Sequence, residues 1–334
     1  MKWYPWLRPD FEQLIASYQA GRGHHALLTH ALPGMGEDAL IYAITRYLMC
    51  QQPVEHKSCG QCRGCQLMQA GTHPDYYALT PEKGKASLGI DAVRDVTEKL
   101  YEHARLGGAK VVWVSDAALL TDAAANALLK TLEEPPANTW FFLACREPAR
   151  LLATLRSRCR IHHLSPPTES YAIAWLARET TASPESSLAA LRLCGGAPGA
   201  AAQLLQTDSA TQRQTLCTAV NAALDSADWL SMLGVLNHEQ VAERLQWLAS
   251  LLMDALKMQQ GATLLTNVDA QPLVSRLAQH LPTPRLQAIL TAVFQCREQL
   301  LNVTGVNREL LLTDLLLCWE HYLQPGTVLP VSHF

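Results

Sequence analysis

At 334 residues and 49% hydrophobic content, the chain is long enough to bury a sizeable core and to divide into two or three domains. A net charge of −3 and a pI near 6.5 exclude a global electrostatic pull toward nucleic acid, so any DNA contact must be local or shared with partners. The start, Met1-Lys2-Trp3-Tyr4-Pro5-Trp6, lacks the basic region and apolar core of a signal peptide. The longest apolar stretch, near Leu245 to Leu256, is interrupted by Gln246, Ser250 and Asp254, so a cytosolic location without a membrane span is expected.

Residues 1 to 23 read as an N-terminal arm with a helix over Phe11 to Ala20, closed by Gly21 and Gly23, with Trp3 and Trp6 expected to pack on the core. The stretch from Ala26 to Thr45 is an apolar strand, a Gly-rich turn and a helix running from about Asp38 to Cys50. That is the frame of a phosphate-binding loop of pattern G-x-x-x-x-G-K-[ST]. Laid on the pattern, the first glycine is Ala31, the second survives as Gly36, the lysine is Glu37 and the magnesium-holding Ser/Thr is Asp38. A unit charge about 4 Å from a phosphate oxygen is worth roughly 4 kcal/mol at an effective dielectric near 20. Exchanging lysine for glutamate removes one such attraction and adds one repulsion, so ATP affinity should fall by several orders of magnitude. The loop reads as a relic that keeps its shape; an ordinary glycine turn would be equally silent toward ATP.

Ten cysteines in a cytosolic chain point away from a disulfide scaffold and toward metal binding or burial. Cys50, Cys59, Cys62 and Cys65 form C-x8-C-x2-C-x2-C, four thiolates within sixteen residues, with Gly60 and Gly64 between them to let the backbone fold tightly around a tetrahedral zinc. With all four positions filled by protein, no site is left open for water, and the zinc would be structural. Four reduced thiols, or replacement of one ligand by His56 or His73, are the alternatives.

Tyr76–Leu79, Lys110–Ser115, Thr139–Cys145 and Ile161–Leu164 read as strands with continuous apolar faces. Ile90–His103 and Thr121–Glu134 read as helices between them, the second stopped by Pro135-Pro136. The alternation predicts an α/β domain with a parallel sheet. After Val111-Val112-Trp113-Val114, where ATPases place acidic residues that hold magnesium, the chain has Ser115 and Asp116, and Asp116 is expected to cap the following turn. Arg156-Ser157-Arg158-Cys159 lies between helix and strand. A loop arginine is ordinarily a surface residue, but its planar, permanently charged fork can be offered to a neighbour's triphosphate.

The run Asn126-Ala127-Leu128-Leu129-Lys130-Thr131-Leu132-Glu133-Glu134-Pro135-Pro136, with Ser157-Arg158-Cys159 downstream and the four-cysteine insert upstream, resembles the clamp-loader branch of the AAA+ ATPases. The departures in the phosphate loop narrow the resemblance to a non-hydrolysing subunit of the bacterial DNA polymerase III clamp loader. It is specific from about residue 20 to 165 and weaker beyond. It implies a RecA-like AAA+ domain over residues 1–165 with a zinc insert at 50–65, a helical lid over 166–207 and an all-α collar over 208–334. It further implies a hetero-pentamer with motor ATPase subunits and a clamp-opening subunit, part of the DNA polymerase III holoenzyme, loading a sliding clamp onto primed DNA. In such a complex this chain would be a stator that binds no ATP and catalyses nothing alone. Arg158, with Ser157 and Cys159 as its loop, would be the arginine finger offered in trans, and Cys50, Cys59, Cys62 and Cys65 would be the zinc ligands. Contact with the sliding clamp would be weak and DNA would be met through the assembled complex, with Lys130 as a candidate backbone contact or simply a solvated lysine. The lid's usual arginine, in a G-x-x-R context, is replaced by Pro198 in Gly195-Gly196-Ala197-Pro198-Gly199.

Beyond Asp208 the chain reads as helix. Val241, Leu245, Leu248, Leu252 and Leu256 form one apolar stripe and Leu286, Ile289, Leu290, Val293, Phe294 and Leu301 another. The last helix, Arg308–Tyr322, carries leucines over most of its circumference, so that other subunits or its own domain must cover several sides. Pro325–Phe334 reads as a loose tail. Two further functions fit parts of the sequence: an active AAA+ ATPase with an atypical loop, which the loop argues against, and a zinc-dependent nucleic-acid-binding module, which the acidic balance argues against.

Overall fold

The computed structural model describes residues 2–81, 87–303 and 305–330; the last four residues of the expected tail lie outside them. The chain divides into two compact units, Met1–Pro167 and Thr168–Phe334.

In the first unit, α1 (Arg8–Gln19) precedes β1 (Ala26–Ala31), α2 (Glu37–Leu48), α3 (Arg63–Ala70), β2 (Tyr76–Leu79), α4 (Ile90–Leu100), β3 (Lys110–Val114), α5 (Asp122–Glu133), β4 (Thr139–Cys145), α6 (Ala153–Ser157) and β5 (Arg160–Leu164). Among the described residues the five strands form one parallel sheet of order β2-β3-β4-β1-β5. Successive strand residues point to opposite faces. Leu28, Val112, Val114, Phe141 and Leu143 pack with Val93, Val96, Leu100, Leu128 and Leu132 of α4 and α5, in a core that also holds Leu155 of α6. The intervening Leu27, Trp113 and Phe142 are buried as well, so apolar side chains fill both faces of the central strands, with Thr29, Lys110 and Thr139 as buried polar exceptions. The two edge strands depart from the expected continuous apolar faces: in β5, Arg160, Ile161 and His163 are exposed, and β2 buries only Leu79 fully. An edge strand lacks the second neighbour that hides its side chains.

The N-terminal helix begins at Arg8, three residues earlier than its apolar pattern suggests, because Pro9 fits a first turn where no N–H partner is needed. Trp6 is buried and donates from Nε1 to Met35 O at 2.8 Å, whereas Trp3 is exposed and meets Phe11 edge-on at 5.6 Å instead of packing on the core.

The second unit is helical: α7 (Glu169–Glu179), α8 (Pro184–Leu193) and α9 (Pro198–Gln206), then α10 (Asp208–Ser226), α11 (Leu233–Leu236), α12 (Val241–Gln259), α13 (Gln271–His280), α14 (Thr283–Asn302) and α15 (Arg308–Leu323). Pro198 opens α9. Of the expected stripe on α12, Val241, Leu245, Leu248 and Leu252 are buried. On α14 the buried stripe is Leu286, Ile289, Val293 and Cys296, while Phe294 and Leu301 lie on the exposed side. On α15, Leu312, Leu315, Leu316 and Trp319 are buried and Leu310 and Leu317 exposed. Among the described residues no helix is long and apolar enough to cross a membrane.

A polar knot fixes the segment ahead of α13. The carboxylate of Asp254, fully buried on α12, accepts from Thr266 N at 2.8 Å, Asn267 N at 2.7 Å and Asn267 Nδ2 at 2.8 Å, and pairs with Lys257 Nζ at 2.9 Å. Asn267 Oδ1 accepts in turn from Arg213 Nη2 at 2.8 Å, and α8 joins through Arg192 Nη1 to Leu265 O at 2.5 Å. Burial alone would raise the Asp254 pKa, but the donors from Asn267, Lys257 and Thr266 together outweigh it and hold the group below the usual carboxylate range. Asp254→Asn should therefore cost about 3 kcal/mol, because buried donors lose their charged acceptor. A carboxylate pKa depressed by folding contributes stability that is full above the unfolded value of about 4 and is lost as pH falls through the lower folded value. Urea midpoints of the two proteins should accordingly differ at pH 7 and converge below pH 4.

Candidate functional site

The loop between β1 and α2 joins strand to helix through a glycine turn, the frame expected of a phosphate loop. It leaves the carboxyl end of β1, between β4 and β5, which is where open α/β sheets place ligands. Gly36 stands at the N-terminus of α2 with φ 87° and ψ 30°, a left-handed conformation suited to glycine. It also lies against the ring of Tyr4, where any Cβ would overlap the ring. Tyr4 stacks on Trp6 at 4.7 Å between ring centroids, so the N-terminal arm covers the turn.

The crevice beside this turn is lined by Thr29, Ala31, Glu37, Ser115, Asp116, Ala144, Cys145 and Arg146, and its volume is about 50 Å³. That is room for a few waters; pockets that hold drug-sized ligands are roughly 300 Å³ or more. Burial pushes the pKa of Glu37 and of Asp38 upward, with Arg146 opposing the shift. Neutral or ionised, neither side chain can supply the positive charge that a phosphate loop needs. Asp116 is turned to the backbone: its Oδ1 accepts from Ala118 N at 3.0 Å, capping the following turn as expected.

Arg158 follows directly on α6. Its Nε donates to Glu133 Oε1 at 2.7 Å, its Nη2 donates to the same oxygen, and its Nη1 donates to Thr154 O at 2.8 Å. The Arg158 side chain remains about 29% exposed. Its neighbours in the motif are local: Ser157 Oγ donates to Thr154 O at 3.1 Å, and Cys159 packs against the core, where burial pushes its thiol up to about 11 and keeps it unreactive. Lys130 is exposed in the last turn of α5, one turn before Glu133. Glu133 and Thr154 escape sequence reasoning, because nothing in their spacing announces that two helix ends converge on one guanidinium.

The cysteine insert gathers as its spacing predicts. The Sγ atoms of Cys50, Cys59, Cys62 and Cys65 all lie within 4.8 Å of one another, with Cys50–Cys62 and Cys59–Cys65 at 3.9 Å. A tetrahedron with Zn–S bonds near 2.3 Å has edges of about 3.8 Å, so the four sulfurs fit that ion with little movement. Backbone donors support them: Cys59 N to Cys50 Sγ at 3.3 Å, Cys62 N to Cys59 Sγ at 3.3 Å and Cys65 N to Cys62 Sγ at 3.4 Å, the pattern that stabilises thiolates. Gly64 is required by close approach, since a Cβ there would stand 2.5 Å from Met49 O. Neither histidine alternative is among the four clustered ligand atoms: the buried His73 accepts at Nδ1 from Asp75 N at 3.2 Å, and His56 is exposed. Purified chain should carry one zinc, and chelation should speed hydrogen exchange over residues 50–65 while the sheet strands stay protected. Loss of protection throughout the sheet would contradict a local role for the cluster.

A parallel α/β sheet with a strand–turn–helix phosphate cradle, a helical lid and a C-terminal helical domain defines the AAA+ class. A model of the family described as DNA polymerase III, delta subunit, matches residues 8–168. The lid model for DNA polymerase III subunit delta' matches residues 167–206, and a model for the C-terminal part of the DNA polymerase III delta subunit matches residues 207–321. The chain is 72% identical to DNA polymerase III subunit delta' of Escherichia coli (strain K12), over 100% of both chains. It is 56% identical to the Yersinia pestis protein of that name, over 98% of each. It is also 31% identical to DNA polymerase III subunit tau of Salmonella typhimurium, over 43% of this chain and 22% of that one. The chain belongs to the DNA polymerase III subunit delta' family.

Proposed function

We propose that this chain is a stator subunit of a DNA polymerase III clamp loader, which hydrolyses no ATP itself and offers Arg158 to the ATP held by a neighbouring motor subunit. The observation that carries the reading is a contrast within one unit. The phosphate cradle keeps its strand, glycine and helix but has Glu37 and Asp38 in place of its cation and hydroxyl, while a guanidinium stands partly exposed just past a short helix. A subunit that burned its own ATP would need the first; one that completes a neighbour's site needs only the second.

The chemistry is electrostatic. As a phosphoryl group transfers, charge builds on its oxygens, and a permanently charged planar fork at hydrogen-bond distance stabilises it more in the transition state than in the ground state. The similarity to the tau subunit, over 43% of this chain, supports a motor of related sequence as the neighbour. Cys50, Cys59, Cys62 and Cys65 would hold a structural zinc, which supplies a cross-link between the end of α2 and the start of α3 and no open coordination position. In this reading the helical second unit joins other loader subunits in a hetero-pentamer in the cytoplasm, and primed DNA and the sliding clamp are met through the assembly, with Lys130 as the candidate DNA contact.

The test is Arg158→Ala in a reconstituted loader whose other ATP sites have been silenced. DNA-stimulated turnover at the remaining site should fall by about 10³-fold or more, with the urea midpoint of the isolated chain unchanged. Unaltered turnover would remove the role in trans.

A further inference from the structure

The guanidinium of Arg158 is held from two sides by rigid elements. Glu133 is the last residue of α5, whose Leu128 and Leu132 lie in the core of the sheet, and Thr154 lies in α6, whose Leu155 lies in the same core. Guanidinium carries five N–H donors in a fixed plane. Three are engaged: Nε–H and one Nη2–H on Glu133 Oε1, and one Nη1–H on Thr154 O. Two remain, one on each terminal nitrogen, and the side chain is partly open to solvent.

We infer that Glu133 is a positioning residue for Arg158. It takes the inner edge of the guanidinium and thereby fixes its plane, leaving one N–H on each terminal nitrogen for an anionic oxygen presented by another protein. This rests on the reading of Arg158 as acting in trans. An unheld arginine samples many rotamers on its long stem, and each must be given up when the phosphate arrives. A side chain already gripped at Nε and Nη1 has given most of them up beforehand. Sequestration, the opposite role, would need the pair to occupy every donor or to be shielded from water. Neither holds, because both side chains are part exposed and two donors are left over.

The test has one readout in the isolated chain and one in the loader. In the chain alone, the Arg158 Nε–H resonance, assigned by its disappearance in Arg158→Lys, should be slowly exchanging. It should be lost in Glu133→Ala and retained in Glu133→Gln, which keeps an acceptor oxygen. A resonance indifferent to Glu133→Ala overturns the inference whatever Arg158 does in the complex. In the loader, Glu133→Ala should lower turnover at the neighbouring site by about 10- to 100-fold, the usual effect of a small misplacement, through kcat rather than KM, and Glu133→Gln should restore most of it. Unchanged or raised turnover in Glu133→Ala, alongside a strong loss in Arg158→Ala, would overturn positioning while leaving the finger intact. Arg158→Ala without effect would instead strike the underlying reading, and the positioning role would fall with it.

Discussion

The sign of the charge at the N-terminus of α2 is the constraint from which the rest follows. A strand, a left-handed glycine and a helix dipole already make most of an anion site, and what completes it for a triphosphate is a cation reaching from the first helical turn. Here that turn begins Glu37-Asp38, both partly desolvated, with Glu37 lining a crevice of about 50 Å³, and Tyr4 lies over Gly36. The acidic first turn still suits the helix, because carboxylates are stabilising at the positive end of a helix dipole, as phosphates are. Nothing in the folding of the loop therefore requires nucleotide.

That independence suits a rigid unit. The sheet is buried on both faces at its centre, and α5 and α6 share one core, so the two points that grip Arg158 cannot drift apart without unpacking leucines. The cysteine cluster adds a local fastening at the end of α2, and in the second unit the Asp254 knot ties α8, α10 and α12 to the segment before α13. Under the proposed role of Arg158, such stiffness would settle the geometry of the guanidinium before a partner arrives.

Much of this was legible in the sequence. The strands at Tyr76–Leu79 and Thr139–Cys145 fall where their apolar runs end, and those at Lys110–Val114 and Arg160–Leu164 differ by one residue from the expected spans. Long Val, Phe and Leu runs bounded by turns and prolines leave little choice of register. The cysteine spacing likewise brought four sulfurs together, and Asp116 capped its turn. What could not be read were relations between distant residues. The exposure of β5 follows from its place at the sheet edge, and the helix over Arg63–Ala70 hides in a polar, glycine-bearing run whose N-cap is Cys62. Tyr4 over Gly36 and Glu133 on Arg158 depend on packing at separations of tens of residues, and no local propensity encodes them.

The most direct test is equilibrium binding of magnesium ATP to the isolated chain at millimolar nucleotide. The account predicts no occupancy above background. Stoichiometric, magnesium-dependent binding that is lost when Gly36 is replaced would place a working nucleotide site in this chain and contradict the division of labour between its acidic cradle and Arg158.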